Sequence, residues 1–224
     1  MTTPIRNDPA PTTSPSLRYE RACWAQGAAG VAGVDEVGRG AWAGPVVAAA
    51  VILPPDPAIA DALAAVDDSK KLLPAQREQL AALITRHARA TAIGMAAPDE
   101  VDRGGLLPAT AWAMERALAA LACDPDHVLL DGLPLRALPR RHTAIVCGDS
   151  ACLSIAAASI IAKVARDALM RALDDTYPGY AFGAHKGYGT RAHIAALRER
   201  GPSPIHRLSY APVAAIAAQS WAWA

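Results

Sequence analysis

Residues 31–53 read VAGVDEVGRGAWAGPVVAAAVIL, and this stretch decides the fold of the chain. Residues 31–35 predict a short strand. Residues 46–53 form a continuous run of β-branched residues and alanine, which is typical of a strand buried on both faces. The glycines at positions 38 and 40 favour a tight turn between the two. We therefore expect these strands to pair as a β-hairpin.

Helices and further strands follow the hairpin along the chain. Apolar spacing and Pro/Gly boundaries predict helices over 17–29, 75–90, 107–122, 151–173, 191–200 and 212–224, and strands over 91–95, 127–130 and 142–146. Asp149 and Ser150 are placed as caps of the long helix 151–173. Strands that alternate with helices indicate an α/β sheet with helices on its faces.

Length and composition indicate one globular domain. The chain has 224 residues, 52% hydrophobic and 19% charged, and its net charge of +1 excludes binding to nucleic acid by bulk positive charge. We expect residues 1–16 to be a disordered tail, 17–210 to be the domain with its C-terminal helices, and 211–224 to be a C-terminal helix or tail. The longest apolar run, 41–53, is too short to cross a membrane, so we expect a cytoplasmic protein.

Four carboxylates stand at the ends of predicted elements: Asp35 and Glu36 after the first strand, Asp131 after the fourth, and Asp149 before the long helix. If they converge, each pair repels by ~4 kcal/mol at ~4 Å and an effective dielectric of ~20, so the cluster must hold protons or bind cations. Oxygen ligands select Mg²⁺ or Mn²⁺, and two such ions support phosphodiester hydrolysis. The alternative is that each acid separately serves a turn or a cap, because Asp35 and Glu36 point to opposite faces of an ideal strand.

Seven blocks of sequence occur in the order typical of one enzyme family. They are residues 33–51, 68–72, 130–132, 148–150, 154–167, 185–190 and 204–207. Together they closely resemble bacterial type 2 ribonuclease H, ribonuclease HII, over residues 19–213. Val37, Ala41 and Trp42 depart from the residues common in that family. Only 34 residues precede Asp35, too few for the extra N-terminal domain of the sister type, ribonuclease HIII.

The resemblance implies an RNase H-like fold, in which helices flank a mixed five-stranded sheet and a helical extension follows at the C-terminus. It implies an endonuclease that uses two Mn²⁺ or Mg²⁺ ions to cut RNA in RNA–DNA hybrids and on the 5′ side of single ribonucleotides in duplex DNA. The products would carry 5′-phosphate and 3′-hydroxyl ends. Carried over by position, the catalytic residues and metal ligands are Asp35, Glu36, Asp131 and Asp149.

The resemblance also implies which residues bind substrate. The loop of Gly38, Arg39 and Gly40 would meet the 2′-hydroxyl that separates RNA from DNA, and Tyr188 would stack on the following sugar. Ser69 and Lys70 would lie near the phosphate backbone. Local charge, rather than the resemblance, predicts a phosphate-facing surface over residues 185–207, which hold one acid and five basic side chains: Lys186, Arg191, Arg198, Arg200 and Arg207. The alternatives are a plain hairpin turn, a half-buried loop tyrosine and a solvated helix surface.

Two other functions compete with this interpretation. A resolvase-like junction nuclease would cut branched DNA and would need neither the Gly-Arg-Gly loop nor Tyr188. A hybrid-binding module without catalysis would have lost at least one of the four acids, yet all four are present. We expect a monomer that binds RNA–DNA hybrid and ribonucleotide-containing duplex, and the C-terminal residues 219–224 lack a clear sliding-clamp motif.

Overall fold

The computed structural model describes residues 14–221. The strands are β1 (Val31–Val37), β2 (Val46–Ile52), β3 (Ala90–Ala96), β4 (His127–Asp131) and β5 (His142–Ile145). The longer helices are α1 (Arg18–Trp24), α3 (Pro74–His87), α4 (Pro98–Gly104), α5 (Leu106–Ala119), α7 (Leu153–Thr176), α9 (Arg191–Arg200) and α10 (Ala211–Trp221). Three single turns are α2 (Ile59–Ala62), α6 (Gly148–Ala151) and α8 (Phe182–His185).

The five strands form one mixed sheet in the order β3-β2-β1-β4-β5. The predicted hairpin is confirmed, because β1 and β2 pair antiparallel and Val37 lies opposite Val47. Strands β4 and β5 run parallel to β1, and Val34 lies opposite Leu130. Asp35 and Asp131 follow those two residues, so the register brings both carboxylates to the same edge of the sheet.

Helices cover both faces of the sheet. Alternate residues of β1 and β2 pack against α5 on one face, where Ala113, Met114 and Ala117 are buried. The other residues of β2 pack against α3 and α7, which bury Ile84 and Ile160. Every residue of β2 is buried, as the sequence predicts for a strand covered on both sides.

The predicted helix 151–173 is wrong at its start, and so is the assignment of Asp149 and Ser150 as its caps. Residue Cys152 has extended backbone (φ −120°, ψ 125°), which separates the turn α6 from helix α7. Glu20 of α1 caps the N-terminus of α7 instead, because its Oε1 accepts a hydrogen bond from the free Ser154 N–H at 2.7 Å. Asp149 is thereby left available to face the sheet edge.

The ends of the described region differ in detail from the prediction. Of the predicted disordered tail, residues 1–13 lie outside the described region, whereas Ser16 forms a parallel bridge with Cys152.

Helix α4 was not predicted, although Pro98 begins it and Glu100 caps it by accepting the Ala97 N–H at 2.8 Å. Within residues 14–221, none of the helices combines the length and apolar character that crossing a bilayer requires.

Close contact between β1 and α7 depends on Gly33. A methyl group at this position would overlap the Ser154 carbonyl carbon and lie 2.5 Å from Ile155 N, both of which belong to the helix backbone. Helix α7 therefore packs directly on β1 at Ser154 and Ile155. Ser159, which faces Asp35, follows about one helical turn later.

We expect Gly33→Ala to lower the free energy of unfolding by about 1–3 kcal/mol, because the added methyl group can be accommodated only if the whole helix α7 moves away from β1. Urea denaturation measures this loss. Gly40→Ala is the control: its methyl group would lie 4.0 Å from Tyr188 Cε1, and reduced freedom of the unfolded chain should raise stability by about 0.4–1 kcal/mol. Equal stability of Gly33→Ala and the wild type would contradict the close contact.

Candidate active site

A pocket of about 370 Å³ opens at the carboxyl end of β1. Segments from the hairpin, the α2–α3 connection, β4, α7 and the 186–190 loop surround it. Its lining comprises Asp35, Glu36, Val37, Gly38, Arg39, Gly40, Ser69, Lys70, Asp131, Ser159, Lys163 and Tyr188. Three of the four predicted acids and most of the predicted substrate residues therefore share one pocket.

Asp35 and Glu36 leave β1 on opposite sides, as the strand period requires. Asp35 is 5% exposed and faces α7, where it shares a side-chain hydrogen bond with Ser159. Its Oδ1 also accepts the backbone N–H of Glu36 at 2.7 Å. Glu36 accepts from Arg39 Nη1 at 3.0 Å. The strand ends one residue later, so both carboxylates border the pocket.

Asp131 and Asp149 are joined through the turn α6. Asp131 Oδ1 accepts the N–H of Gly148 at 2.7 Å and, at 3.4 Å, that of Asp149. The Asp149 side chain is 8% exposed, and its Oδ2 accepts from Lys70 Nζ at 2.8 Å. Asp149 does not line the pocket itself, but it adjoins the pocket through Asp131 and Lys70.

The acids are electrostatically coupled. Burial, followed by the charges of Glu36 and Asp131, raises the pKa of Asp35 well above its usual value. Burial also raises the pKa of Glu36, although Arg39 acts in the opposite direction. Burial and then Asp149 raise the pKa of Asp131, while the two backbone N–H donors oppose that shift. These mutual effects indicate that the four carboxylates form one anionic cluster.

The donor chemistry of the cluster fits hard divalent cations. Within residues 14–221, no group of three or more His, Cys, Asp or Glu side chains is arranged so that it could hold a metal ion. An all-protein cage is not what Mg²⁺ requires, because this ion keeps several waters and binds through one or two carboxylates together with substrate phosphates. Asp35, Glu36, Asp131 and Asp149 offer only oxygen ligands in such an open arrangement.

The loop of residues 38–40 lines the same pocket as the acids of β1 and β4. Gly38 has φ +90°, and a methyl group there would overlap Arg166 Nε. Gly40 faces the ring of Tyr188, so no side chain stands between the loop backbone and that ring. Of these two loops, residues 39, 40 and 189 are exposed, whereas Gly38 and Gly187 are buried.

Two buried arginines hold these loops from behind. Arg166 donates to the carbonyls of Pro45, Lys186 and Ala43 at 2.9–3.1 Å, and its guanidinium lies 5.6 Å from the centre of the Tyr188 ring. Arg207 donates twice to the Gly44 carbonyl and once, at 2.9 Å, to that of Arg39. The hairpin loop and the Tyr188 loop are thereby fixed relative to each other.

Comparison with known proteins identifies the family. The family model for ribonuclease HII matches residues 32–213. The chain belongs to the ribonuclease HII family. Ribonuclease HII of Synechococcus sp. (strain JA-3-3Ab) is 54% identical over 201 residues, which cover 89% of each chain.

Solved structures agree with this assignment. Ribonuclease H2 from Pyrococcus horikoshii OT3 superposes with a TM-score of 0.68 at 28% identity, over 84% of this chain and 97% of that one. RNase HII of Archaeoglobus fulgidus, solved as a complex with PCNA, gives 0.63 at 28% identity, over 80% of this chain and 92% of that one. The predicted RNase H-like mixed sheet is confirmed. As a ribonuclease HII family member, the protein is a hydrolytic, divalent-metal-dependent endoribonuclease that acts on RNA–DNA hybrids.

Some predicted substrate residues lie elsewhere than expected. Arg207 is fully buried, so it was wrongly grouped with a phosphate-facing surface. Lys186 does not line the pocket, and its ammonium group donates to the Gly183 carbonyl. Ser69 is at the pocket, but its hydroxyl is buried and hydrogen bonded to that of Ser159 at 2.9 Å. Lys70 lies at the rim with its bond to Asp149.

Sequence reasoning missed two pocket residues, Ser159 and Lys163. Lys163 lines the pocket and also donates to Asp167 of the same helix at 2.8 Å. The signal was the spacing of Ser159, Lys163 and Arg166, which places them on one helix face. That face is the one turned toward β1 and its loop.

We expect Asp35→Asn to stabilise the protein in the presence of chelator at pH 8 by about 1 kcal/mol or more. Because the pKa of Asp35 is raised on folding, the folded state holds that proton more tightly, and ionisation costs stability as pH rises through the folded pKa. The advantage of the variant should therefore vanish near pH 4, about the usual pKa of aspartate.

Thermal melting at both pH values measures this difference. Asp126→Asn is the control, because Asp126 accepts the Gly30 N–H at 2.7 Å outside the acidic cluster and should show no such gain. An Asp35→Asn variant that melts below the wild type at pH 8 would show that the acids are not mutually repulsive.

Proposed function

We propose that the protein recognises single ribonucleotides within duplex DNA, as well as RNA–DNA hybrids, and cuts on their 5′ side. The products would carry 5′-phosphate and 3′-hydroxyl ends. One observation carries this proposal: Gly38, Gly40 and Tyr188 line the same pocket as Asp35, Glu36 and Asp131. A group that distinguishes ribose from deoxyribose therefore adjoins the acids that would perform hydrolysis.

Recognition would rest on the backbone of the hairpin loop. RNA and DNA differ at one nucleotide only by the 2′-hydroxyl, a small group that both donates and accepts hydrogen bonds. Gly38 is buried against Arg166, whereas Gly40 is exposed and leaves the backbone beside Arg39 uncovered, so that its polar atoms can reach a ribose closely. The Tyr188 ring, across from Gly40, would stack on the next sugar and fix the register of the strand.

Hydrolysis would use the four carboxylates together. Asp35, Glu36, Asp131 and Asp149 would hold two Mg²⁺ or Mn²⁺ ions. Such ions activate water and stabilise the leaving oxygen. The ammonium groups of Lys70 and Lys163 border the pocket and would bind phosphate oxygens. Arg39, which is hydrogen bonded to Glu36, would orient that carboxylate when no substrate is bound.

The proposal also covers the oligomeric state of the protein, its location in the cell and its partners. We propose that the protein is active as a monomer. We also propose that it acts in the cytoplasm, because its proposed substrate is DNA. The Archaeoglobus fulgidus relative was solved with PCNA, so a sliding clamp is a candidate partner here, although residues 219–224 carry no clear clamp motif.

The proposal is tested with a labelled DNA duplex that contains one ribonucleotide. We expect a single cut on its 5′ side with Mg²⁺ or Mn²⁺ and none with chelator. Asp131→Asn should reduce the rate by on the order of a hundredfold or more, the scale of losing one preorganised electrostatic contact at a reacting centre. Equal cutting of an all-DNA duplex would refute ribonucleotide recognition and favour a junction nuclease.

The stacking role of Tyr188 has its own test. We expect Tyr188→Ala to raise KM for the single-ribonucleotide duplex by roughly tenfold, the scale of losing one stacking contact. Tyr188→Phe keeps the ring and should stay near the wild type. Steady-state kinetics and thermal melting are measured together. If Tyr188→Ala lowers the melting temperature as steeply as it lowers activity, the ring is structural.

A further inference from the structure

Three histidine rings lie behind the Tyr188 loop. His193 of α9 is fully buried and His206 is 3% exposed, and their Nε2 atoms are 3.0 Å apart. His185 stacks on His193, with ring centres 4.4 Å apart and planes inclined by 13°. The function proposed above uses none of these rings. They nevertheless lie directly beneath the loop that carries its stacking residue.

One backbone donor, the Ser203 N–H, determines the direction of each hydrogen bond that links His206, His193 and the Tyr188 carbonyl. The Ser203 N–H can only donate, and it lies 2.8 Å from His206 Nδ1, so that nitrogen accepts. The proton of neutral His206 is therefore on Nε2 and points at His193 Nε2, which must accept it. His193 then carries its own proton on Nδ1, where it donates to the Tyr188 carbonyl at 3.0 Å.

Both rings are held in the neutral form. Burial lowers the pKa of His206 to about 4, and the neighbouring His193 acts in the same direction. Burial also lowers the pKa of His193. His185 is fixed in the same way, because its Nδ1 accepts the Gly187 N–H at 3.1 Å, which leaves Nε2–H to donate to the Tyr180 carbonyl at 2.7 Å. A second proton on His193 or His206 would set two N–H groups against each other.

The chain of bonds ends at the loop rather than in the core. It runs from the Ser203 backbone through His206 and His193 to the Tyr188 carbonyl, which also accepts the Thr190 N–H at 2.8 Å. The Tyr188 N–H in turn donates to the His185 carbonyl at 3.0 Å. Two hydrogen bonds to the Tyr188 carbonyl and one from its amide fix the orientation of the peptide groups on either side of this residue. That orientation in turn directs the Tyr188 ring toward Gly40.

We propose that His193 and His206 are positioning residues for Tyr188, acting through a one-directional chain of hydrogen bonds that holds the ring opposite Gly40. This inference rests on the proposed function, because it assumes that the ring stacks on substrate. Neither histidine lines the pocket, so neither is expected to touch the reacting atoms.

Two matched substitutions separate the two bonds of His193. An asparagine amide lies near the place of imidazole Nδ1, so His193→Asn can still donate to the Tyr188 carbonyl while it loses the bond to His206. A glutamine amide lies near the place of Nε2, so His193→Gln can still accept from His206 while it loses the donor to Tyr188. Both variants replace the ring by an amide, and thermal melting compares their stabilities.

We expect His193→Gln to raise KM for the single-ribonucleotide duplex about fivefold with little change in kcat, the scale of one ordinary hydrogen bond. His193→Asn should raise KM less. On a Tyr188→Ala background the difference between the two variants should disappear, because residues that act through one another are not additive. Equal effects of the two amides, or a difference that persists without the Tyr188 ring, would overturn the proposal.

A measurement on the wild type keeps the test independent of folding and activity. Imidazole nitrogen chemical shifts at neutral pH should show His206 protonated on Nε2 and His193 on Nδ1. His193 protonated on Nε2, or a charged ring at either position, would refute the chain. If the wild type cuts long hybrids but not the single-ribonucleotide duplex, the proposed function fails, and these tautomers still decide whether the chain exists.

Discussion

The contact between β1 and α7 is the constraint on which the rest of the molecule depends. Gly33 lets the helix backbone approach the strand so closely that Ser159, little more than one turn later, reaches Asp35. The parallel register of β1 and β4 then brings Asp131 to the same edge, and the break at Cys152 lets the turn α6 present Asp149. Three separate chain segments, β1, β4 and α6, therefore contribute carboxylates to one anionic cluster, and a fourth, α7, contributes Ser159.

The acidic cluster contains interactions that oppose folding and a smaller number of contacts that offset them. Burial and mutual repulsion raise the pKa values of Asp35, Glu36 and Asp131. Backbone N–H donors from residues 36, 148 and 149 and the cations of Arg39 and Lys70 offset part of that cost. Such frustrated groups are typical of functional sites, where stability is given up for chemistry. The fold tolerates them because the strands beneath are buried, β2 over its whole length and β1 over residues 31–35.

Much of this arrangement could be predicted from sequence. The hairpin, the buried strand β2 and helix α9 followed from local pattern, and the family from long collinear blocks. The break at Cys152 could not, because its cause is Glu20, a residue distant in sequence that takes over the capping of α7. The burial of Arg207 could not be predicted from the sequence either. Its partners are backbone carbonyls and a tyrosine hydroxyl, so no acidic residue in the sequence indicates that this arginine is paired.

The two buried arginines have a consequence for how this enzyme can diversify. They hold the loop by its carbonyl groups, at positions 39, 43, 44 and 45, so none of these bonds depends on the side chain at residue 42. Trp42 is partly exposed, whereas Ala41 is fully buried. Substitution of Trp42 can therefore change the surface beside the loop while the hydrogen bonds that fix the course of its backbone are retained.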